Sequence, residues 1–324
     1  MKVTCRKLLS AGASAGTVVA TTVTPRESLA RSFDQASQTP VCSRLRLVGR
    51  LLLFLTALLG WTTPGLAADP GADWIEPMKQ VHARFTGSRG TCALFGDSIT
   101  VSLAFWAPLE GDPKGMDPAL SRAHQKVKTY MKRECWRQWR GPDFGNEGRM
   151  TIRWAHANVD RWLAKLNPEV AVIMFGSNDV GELEAAEYEQ KTREVVRRCL
   201  AHGTIVLLTT LPPRSGRLEK SKQFAEIVRK LAREEHVPLV DYFAAVLERR
   251  PDDWDGTLPQ FKQTPGDEYQ VPTLIARDGV HPSNPRQFAD YSDAALRHNG
   301  FALRNYVTLL AYASVIEQIL PPAK

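Results

Sequence analysis

The sequence predicts an α/β domain built on a doubly wound parallel sheet, and three observations carry that prediction. Four short apolar runs, Thr91–Phe95, Val170–Phe175, Thr204–Thr209 and Pro238–Val240, are continuous rather than alternating, as expected of strands covered on both faces. Helical patterns lie between them, so strand and helix alternate along the chain. No repeat of roughly 20–50 residues is present, which sets aside solenoids and propellers.

The helices follow from local signals. Ile152–Leu166 stops before Pro168, and Leu183–His202 is closed by Gly203 at the first position past its end. Lys220–Glu235 forms a third helix, Arg286–Asn299 a fourth that ends at Gly300, and Leu303–Leu320 a last amphipathic one. Arg304, Asn305 and Glu317 make that last stretch a docked helix rather than a membrane span. Residues 251–277 are rich in Pro, Asp and Gln and form a long loop insertion. Its Asp252, Asp253 and Asp255 lack a full calcium-loop spacing and are expected to form a solvated acidic turn.

Charge is unevenly placed. The 324 residues hold 42 Lys and Arg against 35 Asp and Glu, a formal net charge of +7. Eight basic and only two acidic residues fall within 1–67, so that segment carries nearly all of the excess. The remainder is close to neutral, which removes the electrostatic case for a nucleic-acid partner. Within the segment, Arg44, Arg46 and Arg50 precede the apolar run Leu51–Trp61, and Gly65 and Ala67 supply a small-residue cut site. That order of parts predicts a secretory signal peptide cleaved after Ala67, and with it export. The run is short for a stable membrane span. The Ser/Thr/Ala-rich stretch upstream is long for a signal, and the expectation is that translation starts further in, near Val41. Residues 68–84 form an N-terminal extension, and 85–324 one domain. Cys92, Cys135 and Cys199 show no zinc spacing. An oxidising compartment would allow one disulfide among them, with the pairing open.

Ligands of doubly wound sheets sit beyond the carboxyl ends of the strands, so the residues just past each apolar run are the ones to inspect. Gly96–Asp97–Ser98–Ile99 follows the first run and Gly176–Ser177–Asn178–Asp179 the second. A late loop holds Asp278–Gly279–Val280–His281–Pro282–Ser283. These supply a serine, an amide donor and a histidine with a carboxylate three residues before it. Acyl transfer through serine requires such parts: a weak hydroxyl nucleophile needs a base, the base needs an orienting carboxylate, and the oxyanion needs preplaced donors. Singly each has a plainer account, as a helix cap, a turn residue or a surface histidine. A Gly-x-Ser-x-Gly match at Gly12–Gly16 follows no strand and lies in the leader, so it is discounted.

Together these blocks resemble those of the SGNH (GDSL-type) hydrolase family. GDSI at 96–99, GSND at 176–179 and DGVH at 278–281 match its first, third and last blocks, with Ile99 in place of leucine. Thr209, Leu211, Pro212 and Pro213 also look like the family, and the likeness covers roughly 85–300. The second block is looser, over Gly145–Thr151, and its glycine is assigned to Gly148 with Gly145 as runner-up. The resemblance implies a three-layer α/β/α, flavodoxin-like fold. It implies Ser98 as nucleophile, His281 as base and acid, and Asp278 as its orienting partner. It implies an oxyanion hole from the Ser98 and Gly148 N–H groups and the Asn178 amide, with no metal or organic cofactor. Asp97 and Asp179 are expected to be scaffolding. Trp136, Trp139, Trp154 and Trp162 are expected in the core, with Trp136 or Trp139 as a secondary candidate for a sugar-binding rim. The implied activity is that of an exported serine esterase acting on a small-molecule or polysaccharide ester, with an O-acetylated carbohydrate favoured. A lipid esterase or lysophospholipase-like enzyme, an acyltransferase and a non-catalytic binding protein are the alternatives.

Overall fold

The computed structural model describes residues 73–285 and 289–320. The leader, its predicted cleavage site, Cys5, Cys42 and the Gly12–Gly16 match lie outside the described residues. In chain order the elements begin with α1 (Ile75–His82), β1 (Cys92–Gly96), α2 (Ser98–Val101), α3 (Pro118–Tyr130), α4 (Glu134–Arg137) and α5 (Ile152–Leu166). Next come β2 (Val170–Met174), α6 (Asp179–Glu182), α7 (Ala185–Ala201), β3 (Ile205–Thr209), α8 (Leu218–Glu234) and β4 (Leu239–Val240). Helices α9 (Tyr242–Arg249), α10 (Asp293–Leu296) and α11 (Gly300–Gln318) complete the order.

The four strands are parallel and lie in the order β1-β2-β3-β4. Every residue of β1, β2 and β3 is buried, as their unbroken apolar character requires. Steps from β1 to β4 all run the same way across the sheet, so right-handed crossovers place α5, α7 and α8 on one face, where they pack against one another. Helices α3, α9 and α11 pack together as the second helical layer. The reversal of a doubly wound sheet lies at the other edge of β1. There Gly96 forms a lone parallel bridge with Asn146. The pairing there is one residue pair, held by Gly96 N–H donating to Gly145 O at 3.0 Å and Glu147 N–H donating to Gly96 O at 3.2 Å. This switch point is where such folds bind ligands.

Several expectations are corrected. The helix read over 286–299 is reduced to Asp293–Leu296 among the described residues. Gly300 opens α11 rather than closing its predecessor, and the Asn299 side chain caps that helix by accepting from Ala302 N–H at 2.9 Å. Arg304 and Asn305 of that helix are fully buried. The extension before residue 85 contributes α1, with Trp74, Met78 and Val81 in the core. Residues 251–277 are irregular, with one short 3-10 turn at Pro259–Phe261. Within them Asp253 is paired with Arg250, and Asp255 accepts from Thr257 N–H at 2.8 Å. Cys92, Cys135 and Cys199 are buried free thiols, and the Cys92 N–H donates to Cys135 Sγ at 3.3 Å. Among the described residues no helix is long and apolar enough to cross a membrane.

Candidate active site

Strand β1 delivers Ser98 to the switch point through a tight turn. Asp97 caps α2, its Oδ1 accepting from Ile99 N–H at 3.0 Å. Helix α2 folds back so closely that a Cβ on Gly96 would stand 2.1 Å from Thr100 Oγ1, so only glycine fits. Ser98 is the first residue of α2, where a backbone N–H has no intrahelical acceptor and points outward.

The loop after the insertion brings the histidine to the serine. Ser98 Oγ and His281 Nε2 are 2.8 Å apart across a sequence separation of 183 residues. On the other side of the ring, His281 Nδ1 meets Asp278 Oδ2 at 2.5 Å. The second Asp278 oxygen, Oδ1, accepts from the N–H groups of Val280 at 2.9 Å and His281 at 3.0 Å. One carboxylate therefore shapes the loop and fixes the ring, with the proton on Nδ1 and Nε2 left as acceptor for the serine O–H.

Burial pushes Asp278 upward. The His281 hydrogen bond and the two backbone N–H groups outweigh it and hold the carboxyl below its ordinary range. For His281 burial pulls the value down, but the Asp278 hydrogen bond and charge, with Asp97 and Glu268 behind them, raise it above an ordinary histidine.

The predicted oxyanion donors divide. Asn178 stands just past β2, and its Nδ2 donates to Met150 O at 2.9 Å. An amide nitrogen carries two hydrogens, so one remains to offer. The Gly148 N–H instead donates to the Glu147 carboxylate at 2.7 Å, so that donor is engaged by its own neighbour. A Cβ on Gly148 would meet nothing within 4 Å, so no close approach demands glycine there. Gly145, the runner-up, has φ of +83°, and a Cβ on it would strike the Phe95 ring at 2.3 Å. Its part is to seat the switch-point turn.

Asp97 and Asp179 lie fully buried beneath these turns, and each has one carboxyl oxygen without a protein partner. Desolvation raises Asp97 to about 6 and Asp179 to about 7. Asp179 Oδ1 accepts from Ile152 N–H at 2.7 Å, joining the second turn to α5. Both folded-state values exceed the ordinary 3.8, so the folded chain keeps protons that the unfolded chain releases. The stability this contributes is complete below 3.8 and is lost as pH rises through about 7. In thermal melts across that window, Asp179→Asn is expected to flatten part of the decline; an unchanged slope would contradict the assignment.

Four supporting residues were not anticipated in these roles. Asn146 is fully buried and latches the switch-point turn, its Nδ2 donating to Leu94 O at 2.8 Å and its Oδ1 accepting from Gly141 N–H at 3.0 Å. Arg304 of α11 donates to Ile99 O at 2.8 Å and to Thr100 Oγ1 at 3.0 Å, with its guanidinium 3.6 Å from the Phe105 ring centroid. Asn305 donates to Ala104 O at 3.1 Å and accepts from Trp106 N–H at 2.7 Å. Arg277 donates to the carbonyls of Thr264, Gly266 and Asp267 at 2.8, 2.7 and 2.6 Å, tying the insertion down beside Asp278. A Gly-Asp-Ser turn followed two hundred residues later by a charged residue in an apolar helix is the signal that would have found Arg304.

The tryptophans do not form a rim at the serine. Trp136 is buried and stacked on Trp106, and Trp162 is buried against Phe95 and Trp154. Trp139 stacks on Phe144. The aromatic side chains at the Ser98 cleft are Tyr269, His281 and Phe301. No group of three or more His, Cys, Asp or Glu side chains among the described residues is arranged to hold a metal ion.

A search of curated proteins returned no match. Among solved structures, the chain is similar to the psychrotrophic esterase EstA from Pseudoalteromonas sp. at 12% identity and a TM-score of 0.44, covering 70% of this chain and 99% of that one. It is similar to the acetyl xylan esterase AlAXEase at 19% identity and a TM-score of 0.42, covering 69% and 99%. The model of the GDSL-like lipase/acylhydrolase family matches residues 94–285, a span that holds Ser98, Asn178, Asp278 and His281 and more than half of the chain. The chain therefore belongs to the GDSL-like lipase/acylhydrolase family and is an ester-hydrolysing enzyme.

Proposed function

We propose that this chain is an exported serine esterase that removes acyl groups from carbohydrate esters, acetyl above all, through an acyl-enzyme. The observation that carries the reading is the relay from Ser98 Oγ through His281 to Asp278, joined at 2.8 and 2.5 Å. His281 Nε2 takes the serine proton as Oγ attacks the ester carbonyl. The negative charge that develops on the carbonyl oxygen falls to the Ser98 N–H at the start of α2 and to the Asn178 amide. The intermediate collapses, His281 returns the proton to the departing alcohol, and a water activated by the same ring releases the acid.

Treatment with a fluorophosphonate tests the reading. A single covalent adduct on Ser98, with loss of esterase activity in step, is expected. A folded protein that stays unlabelled would favour a binding role on this scaffold. Products formed in the presence of acceptor sugars separate hydrolysis from acyl transfer: free acid supports hydrolysis, and acylated acceptor supports transfer.

Asn178→Ala is expected to lower kcat about 10²–10³-fold with a smaller change in KM, because its contribution grows as the oxyanion forms. Activity is expected to rise with pH as His281 loses its proton, since only neutral imidazole can accept from serine. The midpoint should lie above that of an ordinary histidine, because Asp278 stabilises the charged ring. A profile flat from acid to neutral would contradict His281 as base.

Export rests on the basic-apolar-small order over Arg44–Ala67. Protein recovered outside the cytoplasm should begin at or next to Ala68; recovery of the full leader on the mature protein would contradict it.

A further inference from the structure

A cleft of about 510 Å³ opens at the nucleophile. Ser98 and His281 line it together with Asp267, Tyr269, Gln270 and Asn284. We infer that this cleft holds the alcohol half of the ester, and that this half is a neutral polyhydroxylated ring oriented by the Asn284 amide and packed beside Tyr269. The inference rests on the serine-esterase reading and adds to it which half of the substrate is recognised, where, and by what chemistry.

The side of the serine decides which half enters. His281 returns its proton to the leaving alcohol, so that alcohol must lie within reach of Nε2. The oxyanion must instead face the Ser98 N–H and Asn178. The cleft includes His281 and Tyr269, whose rings meet edge to face with centroids 5.8 Å apart. Asn178 and Gly148 are not among its lining residues. It is therefore on the leaving-group side.

The lining decides the chemistry. Asn284 Oδ1 is buried without a protein partner, although its backbone N–H donates to Tyr269 O at 2.8 Å. The residue itself lines the cleft, so a turn of its amide would bring that unpaired acceptor to a ligand hydroxyl. Gln270 and Asp267 add amide and carboxylate groups, and the Arg277 contacts hold the strip that carries them. Among the described residues no Lys or Arg lines the cleft, and Asp267 with neighbouring Glu268 opposes an anionic group there. The more apolar cavity, of about 650 Å³, is lined by Ile316 and Leu320. Ile316 lies fifteen residues along α11 from Phe301, which borders the cleft, about 22 Å at the helical rise. A chain esterified at Ser98 does not enter it directly.

The test compares kcat/KM on partially acetylated xylotriose with that on 4-nitrophenyl acetate, which shares the acyl group and lacks the polyol. Asn284→Ala is expected to lower the ratio of the two roughly three- to tenfold, the range for one lost neutral hydrogen bond. Gln270→Ala, on a partly exposed strip, should shift it in the same direction. Binding is read separately, by titrating the same xylotriose into Ser98→Ala protein and into the double variant with Asn284→Ala. Weaker binding in the double variant supports the cleft assignment, whereas an unchanged ratio or unchanged binding overturns it. If Ser98→Ala protein still turns over either ester, the serine reading falls while the binding titration still judges the cleft.

Discussion

Ser98→Ala is expected to abolish ester hydrolysis, with a loss on the order of 10⁶ in kcat on every substrate the wild type accepts. On the serine reading the hydroxyl is the atom that becomes esterified, and no other nucleophile stands 2.8 Å from His281 Nε2 among the described residues. Its removal strips away one hydrogen bond and leaves the capping of α2 by Asp97 intact, so the melting temperature should barely move. A residual rate of roughly 10³–10⁴ over the uncatalysed reaction is expected from the oxyanion donors and substrate binding alone. Active-site titration with the fluorophosphonate should give one site per chain in the wild type and none in the variant. Turnover retained within tenfold would mean that a different group carries the chemistry.

Asp278→Asn is expected to cost about 10⁴ in kcat while the fold survives. The Oδ1 contacts to the Val280 and His281 N–H groups can persist with an amide oxygen, so the loop stays shaped. The amide nitrogen, however, donates where the carboxylate accepted. His281 would then present Nδ1 as acceptor and carry its proton on Nε2, facing the serine with a hydrogen where a lone pair is needed. The loss of negative charge should also lower the pKa of His281 and move the acid limb of the rate profile downward. Both changes are read from one set of pH-rate curves. A variant that lost little activity, or whose acid limb stayed in place, would show that the carboxylate does not act through the ring.

The parts of this molecule that were legible in the sequence are those where one local rule operates without competition. Strands β1 to β3 are continuous apolar runs because both faces are covered, and they fall within a residue or two of the expected limits. Helix α5 matches its expected bounds because Pro168 and a clear apolar stripe frame it. Ser98, Asp278 and His281 could be named together, and do meet, because acyl transfer restricts the residue types and the fold restricts their positions.

Where two rules compete, the sequence misleads. Gly300 follows a helical pattern and looks like a terminator, yet a Cβ there would stand 2.0 Å from Leu274 O. It is glycine because two backbones meet at that point. Helix α3 was not anticipated although Asp117 caps it and Pro118 opens it, because its buried stripe is thin: Leu120, Ala123, His124 and Val127. The Gly148 assignment failed to foresee Glu147, whose carboxylate reaches the N–H expected to serve the oxyanion. The second block pairs with β1 through a single bridge, so its spacing follows no strand.

The hold of Arg304 and Asn305 on the segment after Ser98 has a consequence for biosynthesis. Ser98 is made early in the chain, but its clasp lies on the last helix, and His281 arrives only some twenty residues before that helix begins. A nascent polypeptide therefore carries Ser98 with neither His281 nor its clasp in place. On the serine reading such a chain cannot yet cleave esters, and competence appears only when the carboxyl-terminal portion has been made and packed.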